Sequence, residues 1–184
     1  VVIGGLSIYA TEAEAFTADA VEMLSQAADD LAYGIATQRA RAAHERTQAE
    51  MAQMEKRNTL ILNSTGDGIF GLDLDGCATF INPAGAAMLQ WTAEEIAGQA
   101  MHALHHHTRV DGTPYPWDEC PIYATCRNGV VHRAIDEVFW KKDGTSFPVE
   151  YVGTPLRDQR GALTGAVVSF SDVSERKQAE DAIQ

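Results

Sequence analysis

Residues 130–178 decide the fold. They begin Val130-Val131-His132-Arg133-Ala134-Ile135-Asp136-Glu137-Val138-Phe139-Trp140 and turn at Asp143-Gly144. The chain returns over Ser146 to Pro155, turns again through polar residues, and runs on from Leu163 to Ser171. Asp-Gly between apolar runs is a strong short-range hairpin signal. The stretch therefore predicts three antiparallel strands. They end in Asp172-Val173-Ser174-Glu175-Arg176-Lys177, where a charged helix begins. A sheet that can hold something, feeding a helix that leaves it, has the form of a sensing module in a longer protein, not of a self-contained enzyme.

Composition narrows the function classes. The chain has 184 residues, is 45% apolar and 22% charged, and has a formal charge of −12. That length supports one good core, or one core and a fragment of another. The acidic balance argues against nucleic-acid binding, which needs Lys and Arg to neutralise phosphates. No apolar run approaches the roughly 20 residues that span a bilayer. Three cysteines make no disulfide framework. A cytoplasmic location is expected. The chain lacks an initiator Met, which reads as a piece of something longer.

Upstream, Val1 to Ala10 ends in Leu6-Ser7-Ile8-Tyr9, a plausible final strand. Thr11 and Glu14 have capping-box spacing. From Thr11 to Thr65 there is no Pro, and the single Gly is Gly34. So long a helix is not stable as an isolated globular element. Leu24 and Leu31 share one heptad position, and Ala28 and Ile35 another. The seam weakens after Ile35, and Met51, Met54, Leu60 and Ile61 resume it in a shifted phase. The pattern reads as a parallel coiled-coil linker with a break in register, hence a homodimer. The other reading is a helix packed on its own domain.

The turn at 63–68 ends that helix. Ile69 to Leu74 and Cys77 to Ile81 read as strands joined at Asp75-Gly76. Pro83 opens a short helix, and Thr92 with Glu95 caps another. Residues 99–129 are rich in His, then in Pro and Cys, with weak periodicity.

This order resembles the PAS domain. Gly68-Ile69-Phe70-Gly71-Leu72-Asp73 is similar to its first strand, and Phe80-Ile81-Asn82-Pro83-Ala84 to its second strand and Asn-Pro helix entry. Trp91-Thr92-Ala93-Glu94-Glu95-Ile96-Ala97-Gly98 resembles its acidic helix segment. Lys142-Asp143-Gly144-Thr145-Ser146-Phe147-Pro148-Val149-Glu150 resembles its hairpin, and Asp172 to Lys177 its exit motif. Together these cover about 58–178, in the family's order. The resemblance implies an α+β PAS fold, with a five-stranded antiparallel sheet and short helices on one face, joined to the long coiled-coil helix. Residues 1–45 resemble the end of a GAF domain through the last strand, Ala10-Thr11-Glu12, Ala15-Phe16 and the helix from Leu24 to Ile35. The resulting division is 1–38 for a GAF-like fragment, 39–62 for the linker, 63–173 for the PAS domain and 174–184 for an output helix.

The family's pocket lies between sheet and helices. Candidates to line it are Phe80, Met88, Leu89, Ile96, Leu104, Ile122, Val138, Trp140, Tyr151, Val168 and Phe170. Such a pocket holds a flavin, haem or small metabolite, or it is a packed core with no ligand. A photocycling flavin needs a reactive Cys in an Asn-Cys-Arg-Phe-Leu-like motif, and the chain has none. His102, His105, His106, His107, Cys120 and Cys126 offer imidazole and thiolate for a metal ion or haem iron. The donors favoured are His105, His106 and Cys120, with Cys126 in reserve. The alternative is a polar cover ordered by Pro114, Pro116 and Pro121. No catalytic constellation or phosphate loop is present, so enzyme activity is expected elsewhere in the parent protein. Asp172, Glu175 and Arg176 are the expected signal relay, and Leu24, Ala28, Leu31 and Ile35 the dimer seam. The expected role is a sensory, dimerising module feeding a downstream output domain, most often in a sensor histidine kinase. A cyclic-di-GMP enzyme, an enhancer-binding transcription regulator and a ligand-free scaffold are the alternatives.

Overall fold

The computed structural model describes residues 4–5, 7–11 and 16–182. The chain divides into two units, Val1–Asn58 and Thr59–Gln184. Helix α1 runs from Ala18 to Asn63. Thr17 Oγ1 accepts the Ala20 N–H at 3.3 Å and caps its first turn. The Thr11–Glu14 capping box cannot be placed against this cap, because Glu14 lies outside the described residues. No residue of α1 is buried. Leu24 and Ala28 are half-buried, whereas Leu31 and Ile35 are exposed. Ion pairs one turn apart, Arg41–Glu45 and Arg46–Glu50, line its exposed surface. Ser7 to Tyr9 do not form the strand read there, and Leu6 lies outside the described residues. A last strand needs neighbours to take up its backbone groups, and this segment has none among the described residues.

The second unit is a five-stranded antiparallel sheet in the order β2-β1-β5-β4-β3. The strands are β1 (Gly68–Leu72), β2 (Ala78–Ile81), β3 (His132–Trp140), β4 (Ser146–Arg157) and β5 (Leu163–Asp172). Between β2 and β3 come α2 (Pro83–Leu89), α3 (Ala93–Ile96), α4 (Met101–His105), a single 3₁₀ turn and α5 (Pro121–Asn128). The β3–β4 turn is set by Asp143, whose Oδ1 accepts from the backbone N–H and hydroxyl of Thr145 at 2.9 and 2.6 Å. Gly144 sits there at φ 82°, in the left-handed region. Thr92 and Glu95 form the expected capping box of α3.

One sheet face carries the core. Phe70, Leu72, Phe139, Phe147, Val149, Tyr151, Val168 and Phe170 meet Leu89, Ile96, Met101, Ile122 and Cys126 from the helices. Val168 and Phe170 project inward as the alternation of β5 predicts.

Strand β3 departs from simple alternation. Ala134 pairs with Tyr151, but Glu137 pairs with Val149, so one residue more stands on β3 than on β4. This is a β-bulge, and it reverses the phase of everything after it. Strict alternation from Ala134 would bury Val138 and Trp140. The bulge instead buries Phe139 completely and turns Glu137 inward, leaving Val138 and Trp140 half-buried.

Phe80 also lies outside the core. It pairs with Gly71, and its ring covers the position where a Gly71 Cβ would stand. Its strand neighbour Ile81 packs on the core instead.

Two junctions tie helices to this sheet. Asn82 is buried. Its Oδ1 accepts from Ile69 and Gly85 N–H at 2.8 and 2.9 Å, and its Nδ2 donates to the Leu62 and Asp67 carbonyls, both at 2.9 Å. The end of α1, the start of β1 and the N-terminus of α2 therefore meet on one amide. At the other end, α6 (Ser174–Asp181) leaves β5. Asp172 Oδ1 accepts from the Ser174 N–H at 2.9 Å and from its hydroxyl at 2.5 Å. Val173 is buried and donates its N–H to Pro148.

Candidate functional site

The site lies under β3, where α4 and the N-terminus of α5 cover the sheet. His102 stands in the first turn of α4, and His106 caps its C-terminus four residues on. That spacing places both imidazoles on one face. Pro121 begins α5, and Cys120 immediately precedes it. The weak periodicity of 99–129 therefore hides two short helices.

His106 is buried and sits between two acceptors. Its Nδ1 lies 3.1 Å from Cys120 Sγ, and its Nε2 bonds Glu137 Oε2. The other carboxylate oxygen of Glu137 accepts from the Tyr115 hydroxyl at 3.2 Å. The Tyr151 hydroxyl donates to Oε2 at 3.1 Å. Glu137 thus receives three donors. His102 Nε2 lies 2.8 Å from the Tyr115 carbonyl.

These contacts set the charges. Burial would raise the Glu137 carboxyl, but His106 and the two tyrosines hold it below its ordinary value. Burial would lower His106, but its bonds to Cys120 and Glu137 raise it to about 9. Burial would raise the Cys120 thiol, but the hydrogen bond and positive charge of His106 lower it to about 6. Tyr115 is pushed up to about 12, by burial first and then by the Glu137 charge. The result is a buried thiolate–imidazolium–carboxylate row, closed by two tyrosine hydroxyls.

The structure distributes the predicted donors unevenly. His106 and Cys120 come together, and the third donor with them is His102. His105 points into the core instead. Its ring stands edge-on to Phe139 at 4.4 Å and to Phe70 at 5.2 Å, and neither ring nitrogen has a hydrogen-bond partner. Burial, then the neighbouring His106 charge, keeps it neutral, with a pKa well below the usual range. Cys126 is also buried in the core, where its thiol faces the Ile122 carbonyl and is raised to about 11 by burial. Glu137 and Tyr115 are the site residues that pattern reading misses. Their signal is indirect: a Glu beside Val138-Phe139-Trp140, and a Tyr between two prolines.

Of the residues expected to line a pocket, Leu89, Ile96, Ile122, Tyr151, Val168 and Phe170 are buried, and Met88 and Leu104 pack against them. They fill the interior. The space bounded by Leu72, Met101, His105, Cys120 and Ile122 is about 10 Å³, the room of one water molecule. Trp140 donates its indole N–H to the Thr108 carbonyl at 2.8 Å and stacks on His107. An open groove of about 220 Å³ lies beside the cluster, lined by His106, Arg109, Tyr115, Asp136, Glu137 and Val138, among others.

The PAS fold profile matches residues 56–173. This chain belongs to the PAS family. Its PAS domain is 27% identical over 123 residues to the signal transduction histidine-protein kinase AtoS of Escherichia coli, covering 67% of this chain and 19% of that protein. It is 31% identical over 127 residues to "Probable diguanylate cyclase DgcE" of the same organism, covering 68% and 11%. The chain thus spans less than a fifth of the curated relatives it matches. The PAS domain of a Colwellia psychrerythraea protein superposes with a TM-score of 0.54 at 20% identity, over 66% of this chain and 98% of that one. Among the described residues, no helix is long and apolar enough to cross a membrane.

Proposed function

We propose that this chain is the sensory PAS module of a multidomain signalling protein, cytoplasmic, dimeric through α1, and coupled through α6 to a downstream output domain. The observation that carries this reading is the β3 bulge. On its inner side Glu137 holds His106, Tyr115 and Tyr151. On its outer side Asp136 accepts from Lys177 of α6 at 3.1 Å. Across the ladder lies Glu150, whose carboxylate takes both terminal nitrogens of Arg176 of α6. A change in the charge or packing of the cluster would move the bulge, and the bulge touches the exit helix at two points. Glu175 is exposed and makes no ion pair among the described residues, so Arg176 and Lys177 carry the relay rather than Glu175.

The parent output is kinase activity by the likeness to AtoS. The likeness to DgcE supports the second reading, a cyclic-di-GMP enzyme. In either, this segment regulates and does not catalyse. The test is a double-mutant cycle in the full-length parent. Glu137→Gln and Arg176→Ala each shift output, and together they fall short of additivity because they lie on one route. Wild-type output from a folded Arg176→Ala protein would contradict the relay.

A further inference from the structure

We infer that His102, His106 and Cys120 form a mononuclear site for a late transition-metal ion of the zinc class. Their donor atoms lie within 4.8 Å of one another. Bonds of about 2.0–2.1 Å to nitrogen and 2.3 Å to sulfur need donors roughly 3.3–3.6 Å apart around a tetrahedral ion. The 3.1 Å from His106 Nδ1 to Cys120 Sγ is already close to that spacing. The widest donor pair, up to 4.8 Å apart, would close by about 1 Å as side chains turn to seat the ion.

The hydrogen bonds fix which nitrogen each imidazole offers. A carbonyl oxygen only accepts, so His102 Nε2 must carry a proton toward Tyr115 O. That leaves His102 Nδ1 as the free lone pair, and this atom is buried with no hydrogen-bond partner. A buried polar atom without a partner is costly, and a bound ion would supply one here. His106 follows the same rule: Nε2 stays on the Glu137 carboxylate, and the Nδ1 proton that faces the Cys120 thiolate is released when a metal ion takes its place. Each ligating ring is therefore anchored through its far nitrogen, one by a carbonyl and one by a carboxylate. Metal-binding histidines are oriented in this way. Glu137 in turn is held by Tyr115 and Tyr151.

Two imidazoles and one thiolate suit zinc, cobalt or copper better than magnesium or calcium. Three protein donors leave a fourth position. A space of about 10 Å³, the room of one water molecule, borders His102, His106 and Cys120. The site stands on this geometry alone, whatever output the parent carries.

The test uses the whole chain, purified without a histidine tag, stripped with a chelator under reducing conditions and titrated with Co(II). One equivalent should bind, with a thiolate-to-cobalt charge-transfer band. Cys120→Ser should abolish the band. His102→Gln should weaken binding tenfold or more. Cys126→Ser should leave band and affinity unchanged, because that thiol lies outside the cluster. A saturated wild-type protein with no thiolate band would overturn the site. So would a band that survives Cys120→Ser or disappears in Cys126→Ser, or unchanged affinity in His102→Gln. Circular dichroism of each variant shows that a lost band is not a lost fold.

Discussion

At the residue scale, the row Cys120–His106–Glu137 makes a definite statement about pH. A raised His106 stabilises the fold below its ordinary 6.5, and that contribution is lost as pH rises through about 9. A lowered Cys120 does the opposite. Its contribution is present above its ordinary 9.0 and is lost as pH falls through about 6. Between about 6.5 and 9 the unfolded chain holds one proton on the pair, on sulfur, and the folded chain holds one, on nitrogen. The two slopes cancel. Metal-free wild-type protein should therefore show little pH dependence of stability from this pair across that window. Cys120→Ala removes one half and leaves His106 raised by Glu137. Its stability should then fall as pH rises across this window, by less than the full wild-type His106 shift would give because the Cys120 contacts are gone, measured by urea unfolding at each pH. A second residue gives a plainer test. Asn82→Ala removes a buried amide and strands the Ile69 and Gly85 N–H groups, so it should cost about 2–3 kcal/mol. Thermal unfolding would register that as a drop of several degrees.

At the element scale, most of this unit was legible because local chemistry and global fold agree. Asp143-Gly144 makes the β3–β4 turn, Asn82-Pro83 opens α2, and Thr92 with Glu95 caps α3. The candidate site was legible only in its donors, not in its geometry. A bulge has no reliable local signature, so alternation along β3 pointed to Val138 and Trp140 when Phe139 and Glu137 go inside. Phe80 escapes pattern reading because it covers Gly71 on the opposite face, a tertiary fact. Helical spacing alone could not decide between His102 and His105 as partners of His106. The tightly packed Phe70 and Phe139 rings claim His105. The exit corner supplies a prediction at this scale. Asp172→Ala removes the acceptor of the first N–H of α6 and should cost about 0.5–2 kcal/mol, read by chemical denaturation. Unchanged stability would mean that water replaces the carboxylate there.

At the scale of the whole molecule, α1 is the element without a buried face. It has 46 residues, none of them buried, with Leu31 58% exposed. A helix that long with no buried stripe lacks the packing that stabilises helices in proteins, and a second copy along the Leu24, Ala28, Leu31 and Ile35 seam would supply it. Leu31→Glu should then weaken self-association at least tenfold by sedimentation equilibrium, and a wild-type chain monomeric at tens of micromolar would remove the dimer. The relay is the larger claim. It requires that the buried cluster and α6 be coupled through the bulge between Glu137 and Asp136. Hydrogen exchange of the α6 amides, from 174 to 181, measures that coupling most directly. In Glu137→Gln, exchange of α6 should quicken several-fold while β1 and β5 keep their protection. An α6 that exchanges at the wild-type rate in a folded Glu137→Gln protein would contradict the account.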